Sequence, residues 1–165
     1  MVNIETEVRK NKDVIGRLLK LKDGYVKIGW YKGEHESNGL LCSENAYMQE
    51  HGFNIKHKNG KTTHVPARPF LTITMNKNEG RWNKLWKDIV KQYIDGKKTL
   101  TDVLNRIGII VQADIRKTLR SNVPPPNADS TRRRKIALGR KPTTLIDTGK
   151  MYDNISYDAF EGTEK

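Results

Sequence analysis

The spacing of large apolar residues between positions 82 and 119 constrains this chain more than any other feature. Trp82, Trp86, Ile89, Val90 and Tyr93 recur at steps that bring them to one side of an α-helix. Gly96 follows, with Lys97 and Lys98 beside it, which is the pattern of a helix C-terminus. Thr99, three residues before Asp102, has the form of a cap for a second helix. That helix is predicted to run to about Leu119, with Leu104, Val111, Ile115 and Leu119 on one face and Val103, Ile107 and Ile110 beside them. Gly108 in its middle is expected to allow a close helix crossing. Tryptophans can form a base-stacking surface. At helical spacing on an otherwise apolar face, they read as core.

The remaining elements are shorter. A helix is predicted over 5–20, with Val8, Val14, Ile15, Leu18 and Leu19 on its apolar face. From Tyr25 to Tyr31, Val26, Ile28 and Trp30 alternate with Lys27 and Gly29, as in a half-buried strand. Ser43-Glu44-Asn45 caps a short helix that Gly52 stops. Residues 53–64 read as a hairpin closed at Asn59-Gly60 by a type I′ turn, with Phe53, Ile55 and His57 on one arm and Thr62 and His64 on the other. Pro66 and Pro69 hold residues 65–71 extended. Met151–Tyr157 is predicted to be a final strand, and 158–165 a flexible tail. The fold class is therefore α+β: one domain over 1–157, with a small, mostly antiparallel sheet packed against two long helices.

Charge separates the two halves. The 165 residues carry a net charge of +12, with 35% hydrophobic and 30% charged side chains, so the core can be only modest. Residues 120–141 hold Arg120, Arg132, Arg133, Arg134, Lys135, Arg140 and Lys141 against Asp129 alone. Pro124-Pro125-Pro126 lies in the same stretch, so no regular helix or central strand is expected throughout it. It reads as a long basic loop, part of an arm over 120–149. Such a run suits contact with phosphates or with an acidic protein surface. Without interleaved aromatics, any contact with nucleic acid is expected to be unspecific and salt-sensitive. No apolar run approaches the roughly 18 residues of a membrane span, and the N-terminus has no basic-then-apolar pattern of a secretory signal. The single cysteine, Cys42, excludes an internal disulfide and suits a reducing cytoplasm.

Candidate chemistry is sparse. Leu145-Ile146-Asp147-Thr148-Gly149 has the local form of an aspartic-protease motif, in which two such carboxylates share a proton. Only 16 residues follow Gly149, so a turn is the expected role. His35, His51, His57 and His64 show no metal-ligand spacing, although His57 and His64 can face each other across the hairpin. Cys42 reads as a small buried residue rather than a nucleophile. Neither a catalytic group, a metal site nor a cofactor is expected. The hydrolase reading, for which Asp147 is the one candidate, has no complete site.

Two segments together resemble phage tail-completion or head–tail neck proteins of the virion-morphogenesis class. The first is Asn45-Ala46-Tyr47-Met48-Gln49-Glu50-His51-Gly52, followed by Val65-Pro66-Ala67-Arg68-Pro69-Phe70-Leu71. The second runs from Asn127-Ala128-Asp129-Ser130-Thr131 through Lys141-Pro142-Thr143-Thr144-Leu145-Ile146-Asp147-Thr148-Gly149-Lys150-Met151 to Asn154-Ile155-Ser156-Tyr157. Order and rough spacing agree, with a helical pair between them, and the resemblance covers about residues 24–157. His51 stands where the family has an aromatic, and the 53–64 hairpin lengthens the link to the proline segment. The resemblance implies a non-enzymatic structural protein of the virion neck or tail, made in the host cytoplasm, that completes the tail or joins it to the head and lets DNA pass. It implies neck, connector or tail proteins as partners and a homo-oligomeric ring, with non-specific DNA contact as a further option and no membrane. Assembly-interface candidates are then Arg68, Phe70, Leu145 and Asp147. Arg132, Arg133, Arg134, Lys135, Arg140 and Lys141 are candidates for an acidic surface or DNA. The alternative is a small cytoplasmic nucleic-acid-binding module that uses the basic 120–141 segment.

Overall fold

The computed structural model describes residues 4–162. Ten elements follow one another: α1 (Ile4–Asp23), β1 (Tyr25–Gly29), α2 (Cys42–His51), β2 (Phe53–Lys56), β3 (Thr62–Val65), α3 (Phe70–Ile94), α4 (Leu100–Arg120), α5 (Asp129–Ala137), α6 (Lys150–Asp153) and β4 (Ser156–Phe160). The α+β class holds; α3 and α4, with 25 and 21 residues, are the two long helices expected, and α1, with 20, is a third of nearly the same length. The strands form two separate two-stranded sheets, β1 with β4 and β2 with β3, where one small sheet was expected. Each strand has only four or five residues. The β2–β3 pair is complete within its own hairpin, antiparallel with Phe53 opposite Val65 and Lys56 opposite Thr62.

Its turn differs from the expected one. His57 N–H donates to Lys61 O at 2.8 Å and Gly60 N–H to His57 O at 3.0 Å, so three residues form the loop. Gly60 has a φ of 80° while Asn59 stays out of the left-handed region, whereas a type I′ turn needs both residues there. His57 and His64 do not meet: His57 bonds the Thr63 hydroxyl and His64 the Asn54 amide oxygen, each at 2.9 Å.

The chain divides into two compact units built from separated stretches. One takes residues up to Ile28, Glu79–Val111 and the chain from Tyr157; the other takes Gly29–Asn78 and Gln112–Ser156. In the first unit, Ile89 and Tyr93 of α3 and Leu100, Val103 and Leu104 of α4 form a buried apolar cluster. Leu21, Val26 and Ala159 pack against it. The α4 cap is the predicted one: Asp102 accepts from Thr99 N–H at 3.0 Å, and Thr99 Oγ1 accepts from Asp102 N–H at 3.1 Å. Hydrogen bonds to the carboxyl from Thr99, its backbone N–H first and its side chain second, hold Asp102 below its ordinary value. The Arg17 guanidinium donates to the carbonyls of Tyr93 and Ile94, closing the α3 C-terminus.

Three readings are corrected in this unit. Ile15, Leu18 and Leu19 of α1 are exposed, while Leu21 and half-buried Val14 and Arg17 face the protein. Trp86 is 39% exposed, at the rim of an apolar cleft of about 150 Å³ rather than in the core. Gly108 makes room for a ring rather than a helix: a Cβ there would lie 2.2 Å from Cδ2 of Tyr157.

The C-terminal strand begins later than predicted. Residues 150–153 are the short α6, and β4 carries the chain through Phe160, whose ring stacks on Tyr25 with centroids 4.8 Å apart. The predicted tail thus begins with strand residues, and positions 163–165 lie outside the described residues.

Candidate functional site

Both segments that carry the resemblance lie in the second unit, apart from Tyr157 at the end of the second segment, and there they converge on a buried polar knot beside a groove. Arg68 is central to the knot. The residues before it are extended, as two prolines require, and its side chain is turned inward with 5% exposure. Nε donates to Pro125 O at 2.9 Å; Nη1 reaches Gln49 Oε1 at 3.3 Å, and Nη2 reaches Pro126 O at 3.5 Å and Asn127 Oδ1 at 3.3 Å. One guanidinium therefore ties α2 to the proline run. Burial pushes its pKa down, but an arginine starts so high that it remains a cation.

Phe70 is fully buried, and its ring meets Trp30 edge-on at 5.9 Å. The Trp30 indole N–H donates to Met151 O, fixing the start of α6. Arg68 and Phe70 were expected to present anchors to a neighbour, and this exposure is corrected. The arginine fork is occupied by carbonyls of its own chain, and the phenyl ring fills the core.

Glu50, on α2, is 9% exposed; it belongs to the first resembling segment, where the sequence assigns it no role. Its carboxylate accepts from Leu71 N–H at 2.8 Å, Thr72 N–H at 3.1 Å and the Thr72 hydroxyl at 2.8 Å. It caps the first turn of α3, where free N–H groups and the helix dipole favour a negative charge. α3 starts at Phe70, well before its tryptophan stripe, because this carboxylate holds its first turn.

The basic segment, expected as a long loop, is corrected: Asp129–Ala137 within it form α5. Asn127 Nδ2 donates to Thr143 O at 2.9 Å, and Thr144 N–H to Asn122 Oδ1 at 3.1 Å. Lys135 on α5 is 4% exposed, and its Nζ donates to Thr143 O at 2.7 Å and Ile146 O at 2.8 Å. Burial pushes its pKa below the ordinary 10.5, while nearby Asp147 partly offsets this. Lys135, read in the sequence as one more surface charge, is the pin that holds α5 to the 143–146 loop. Arg132, Arg133, Arg134 and Lys141 are exposed, as expected; Arg132 pairs with Asp129 at 3.5 Å.

The groove has a volume of about 450 Å³ and is lined from α2, β2, the 36–40 loop, α5 and the 140–151 segment. Phe53, Ile55, Met48, Leu40, Leu145 and Met151 are its apolar lining. Arg134, Arg140, Asp147, Glu36 and Thr148 supply charge and polarity. Leu145, an interface candidate, is 7% exposed and contributes mainly to the wall. Asp147 is exposed and ion-paired with Arg140 at 2.8 Å. Glu36 accepts from Asn45 Nδ2 at 2.9 Å and from the Thr148 hydroxyl at 3.0 Å. Gly149, with a φ of 88°, is the residue before α6, so Asp147-Thr148-Gly149 is the expected turn. The Thr144 hydroxyl, on the same wall, is buried without a hydrogen-bond partner.

Cys42 is fully buried, with Asn154 Nδ2 at 3.9 Å from Sγ, and burial pushes its thiol pKa up. That raises the proton affinity a nucleophile would need lowered. Among the described residues, no group of three His, Cys, Asp or Glu side chains has metal-binding geometry, and no helix is long and apolar enough to cross a membrane. Compared with family models, curated proteins and solved structures, the chain matches none of them.

Proposed function

We propose that this chain is a non-enzymatic phage virion structural protein that completes the tail or joins it to the head, assembling with neck and tail rings around a path for DNA. The convergence of the two resembling segments supports this reading. Arg68 and Gln49 of the first meet Pro125, Pro126 and Asn127 at the start of the second, in one knot. Motif residues that hold main chain in place are what a family of joint proteins would share, because such a protein needs a defined shape more than a reacting group. The exposed remainder suits docking: Ile136 and Leu138 are 59% and 56% exposed beside Arg132, Arg133 and Arg134.

Quantitative mass spectrometry of purified virions tests the reading. A copy number on the order of one ring per particle is expected. Absence from clean particles overturns it. The exposed arginines of α5 also favour a second reading, a nucleic-acid-binding module. A salt titration with duplex DNA separates the two. Affinity that is strong at low salt and falls steeply with log salt supports that module, and no binding at low salt removes it.

A further inference from the structure

The groove of the second unit is matched to one kind of occupant. Its two acids already have partners: Asp147 has Arg140, and Glu36 has Asn45 and Thr148. Its cations do not balance in the same way. Among the described residues, the Arg134 side chain makes no hydrogen bond or ion pair, although it lines the groove from α5. Arg132 and Arg133 precede it on the same exposed helix, so the potential on this rim is positive. The same groove is lined by apolar side chains, among them Ile55, 40% exposed, and half-buried Phe53.

A phosphate backbone would meet Arg134 but would leave the Phe53 and Ile55 side chains against charged, hydrated groups. A protein segment with a carboxylate beside a large apolar side chain satisfies both. Arginine is the residue that recognises a carboxylate with two parallel hydrogen bonds. We propose that this groove binds an acidic segment of a partner protein, seating an apolar side chain against Phe53 and Ile55 while a neighbouring Asp or Glu pairs with Arg134. This rests on reading the chain as an assembly protein. A groove contact of this kind is weak alone and is multiplied when it recurs around a ring.

A library of displayed random peptides of about 12 residues, panned on the full chain, tests the proposal. Enriched peptides are expected to place Asp or Glu next to Leu, Ile or Phe. Their affinity is expected on the order of 10 µM. Arg134→Glu and Ile55→Glu, both at exposed positions that tolerate the change, should each weaken binding at least about tenfold. Arg133→Glu makes the same charge change one residue away but outside the groove, and should weaken it by less than about threefold. Several results overturn the proposal: no enrichment, enrichment of basic or purely polar peptides, equal losses from Arg133→Glu and Arg134→Glu, or a DNA duplex binding where no peptide does. Peptide failure with the chain present in virions removes this inference alone. Peptide binding with the chain absent from virions removes the assembly reading and leaves the groove.

Discussion

The two units of this chain bury different things. The first closes over Ile89, Tyr93, Leu100, Val103 and Leu104, an apolar cluster with its hydrogen-bonding groups largely at its edges. The second also buries Phe70 and Leu119, but among them it buries Glu50, Arg68 and Lys135. Each of these charged groups is aimed at backbone: Glu50 at the first N–H groups of α3, Arg68 and Lys135 at loop carbonyls. Apolar packing is tolerant of detail and costs little to arrange. A buried ion needs its partners in place, so it stabilises one arrangement of the loops around it and penalises the others. The unit built this way also carries the Phe53–Arg134 groove and the basic arm with α5.

The largest effects should come from truncating each core, and they sharpen the contrast by giving it a common scale. Leu104→Ala in the first unit should cost about 2–5 kcal/mol, and Phe70→Ala in the second about 3–5 kcal/mol, read from urea unfolding of the whole chain. A loss under about 1 kcal/mol from Phe70→Ala would mean that its ring is not the buried anchor the structure shows.

Two arginines then test whether burial makes the difference. Arg17 and Arg68 both donate to main-chain carbonyls, the first from a half-buried position and the second from a buried one. Replacing each with Met keeps the bulk and removes the donors. Arg68→Met empties a buried site and takes the donor from four partly buried acceptors, and should cost about 2–4 kcal/mol. Arg17→Met leaves carbonyls that water can reach and should cost about 0.5–1.5 kcal/mol. Equal losses in the same unfolding assay would break the comparison.

The contrast also decides what could be read from the sequence. Periodicity found α3 and α4 because an apolar stripe repeats, and the Thr99–Asp102 cap was legible because its two residues are three apart. The knot had no such trace. Arg68 and Lys135 carry the same side chains as the exposed cations around them, and only long-range folding decides which charges turn inward. Glu50 caps a helix that begins 20 residues later, so no local spacing marks it. The α1 face was misread for a related reason: Ile15, Leu18 and Leu19 share a stripe, but the packed side is the one holding Leu21. Of the groove, Leu145, Asp147, Arg134 and Arg140 were singled out in advance. Phe53 and Ile55, which also line it, read in the sequence only as one arm of a hairpin.

A smaller effect should appear on the alkaline side, in the second unit. Burial lowers the Lys135 pKa below 10.5, so the folded chain releases that proton at a lower pH than the unfolded chain does. Between those two values the unfolded state binds more protons, and stability contributed by this site rises with pH. Lys135→Met should remove that rise. The test is the difference between the urea midpoints of the two proteins, followed from pH 8 upward to about 10.5. A difference that does not change with pH would mean that Lys135 is not held charged against its burial.

The smallest effect belongs to the first unit and has the opposite character. Asp102 sits at the surface, and its carboxyl is held below the ordinary 3.8 by the Thr99 N–H and then by the Thr99 hydroxyl. A carboxylate depressed in the folded state adds stability that is complete above the unfolded value and is lost as pH falls through the folded one. Wild type should therefore melt slightly above Asp102→Ala at pH 6, and the gap should close as the pH is taken below about 3.8. Added salt should leave most of that gap intact, because the cap is a hydrogen bond over one turn rather than a long-range attraction. A gap that persists unchanged into acid would show that Asp102 acts through packing or helix propensity, and the reciprocal Thr99–Asp102 bonds would then not be what starts α4.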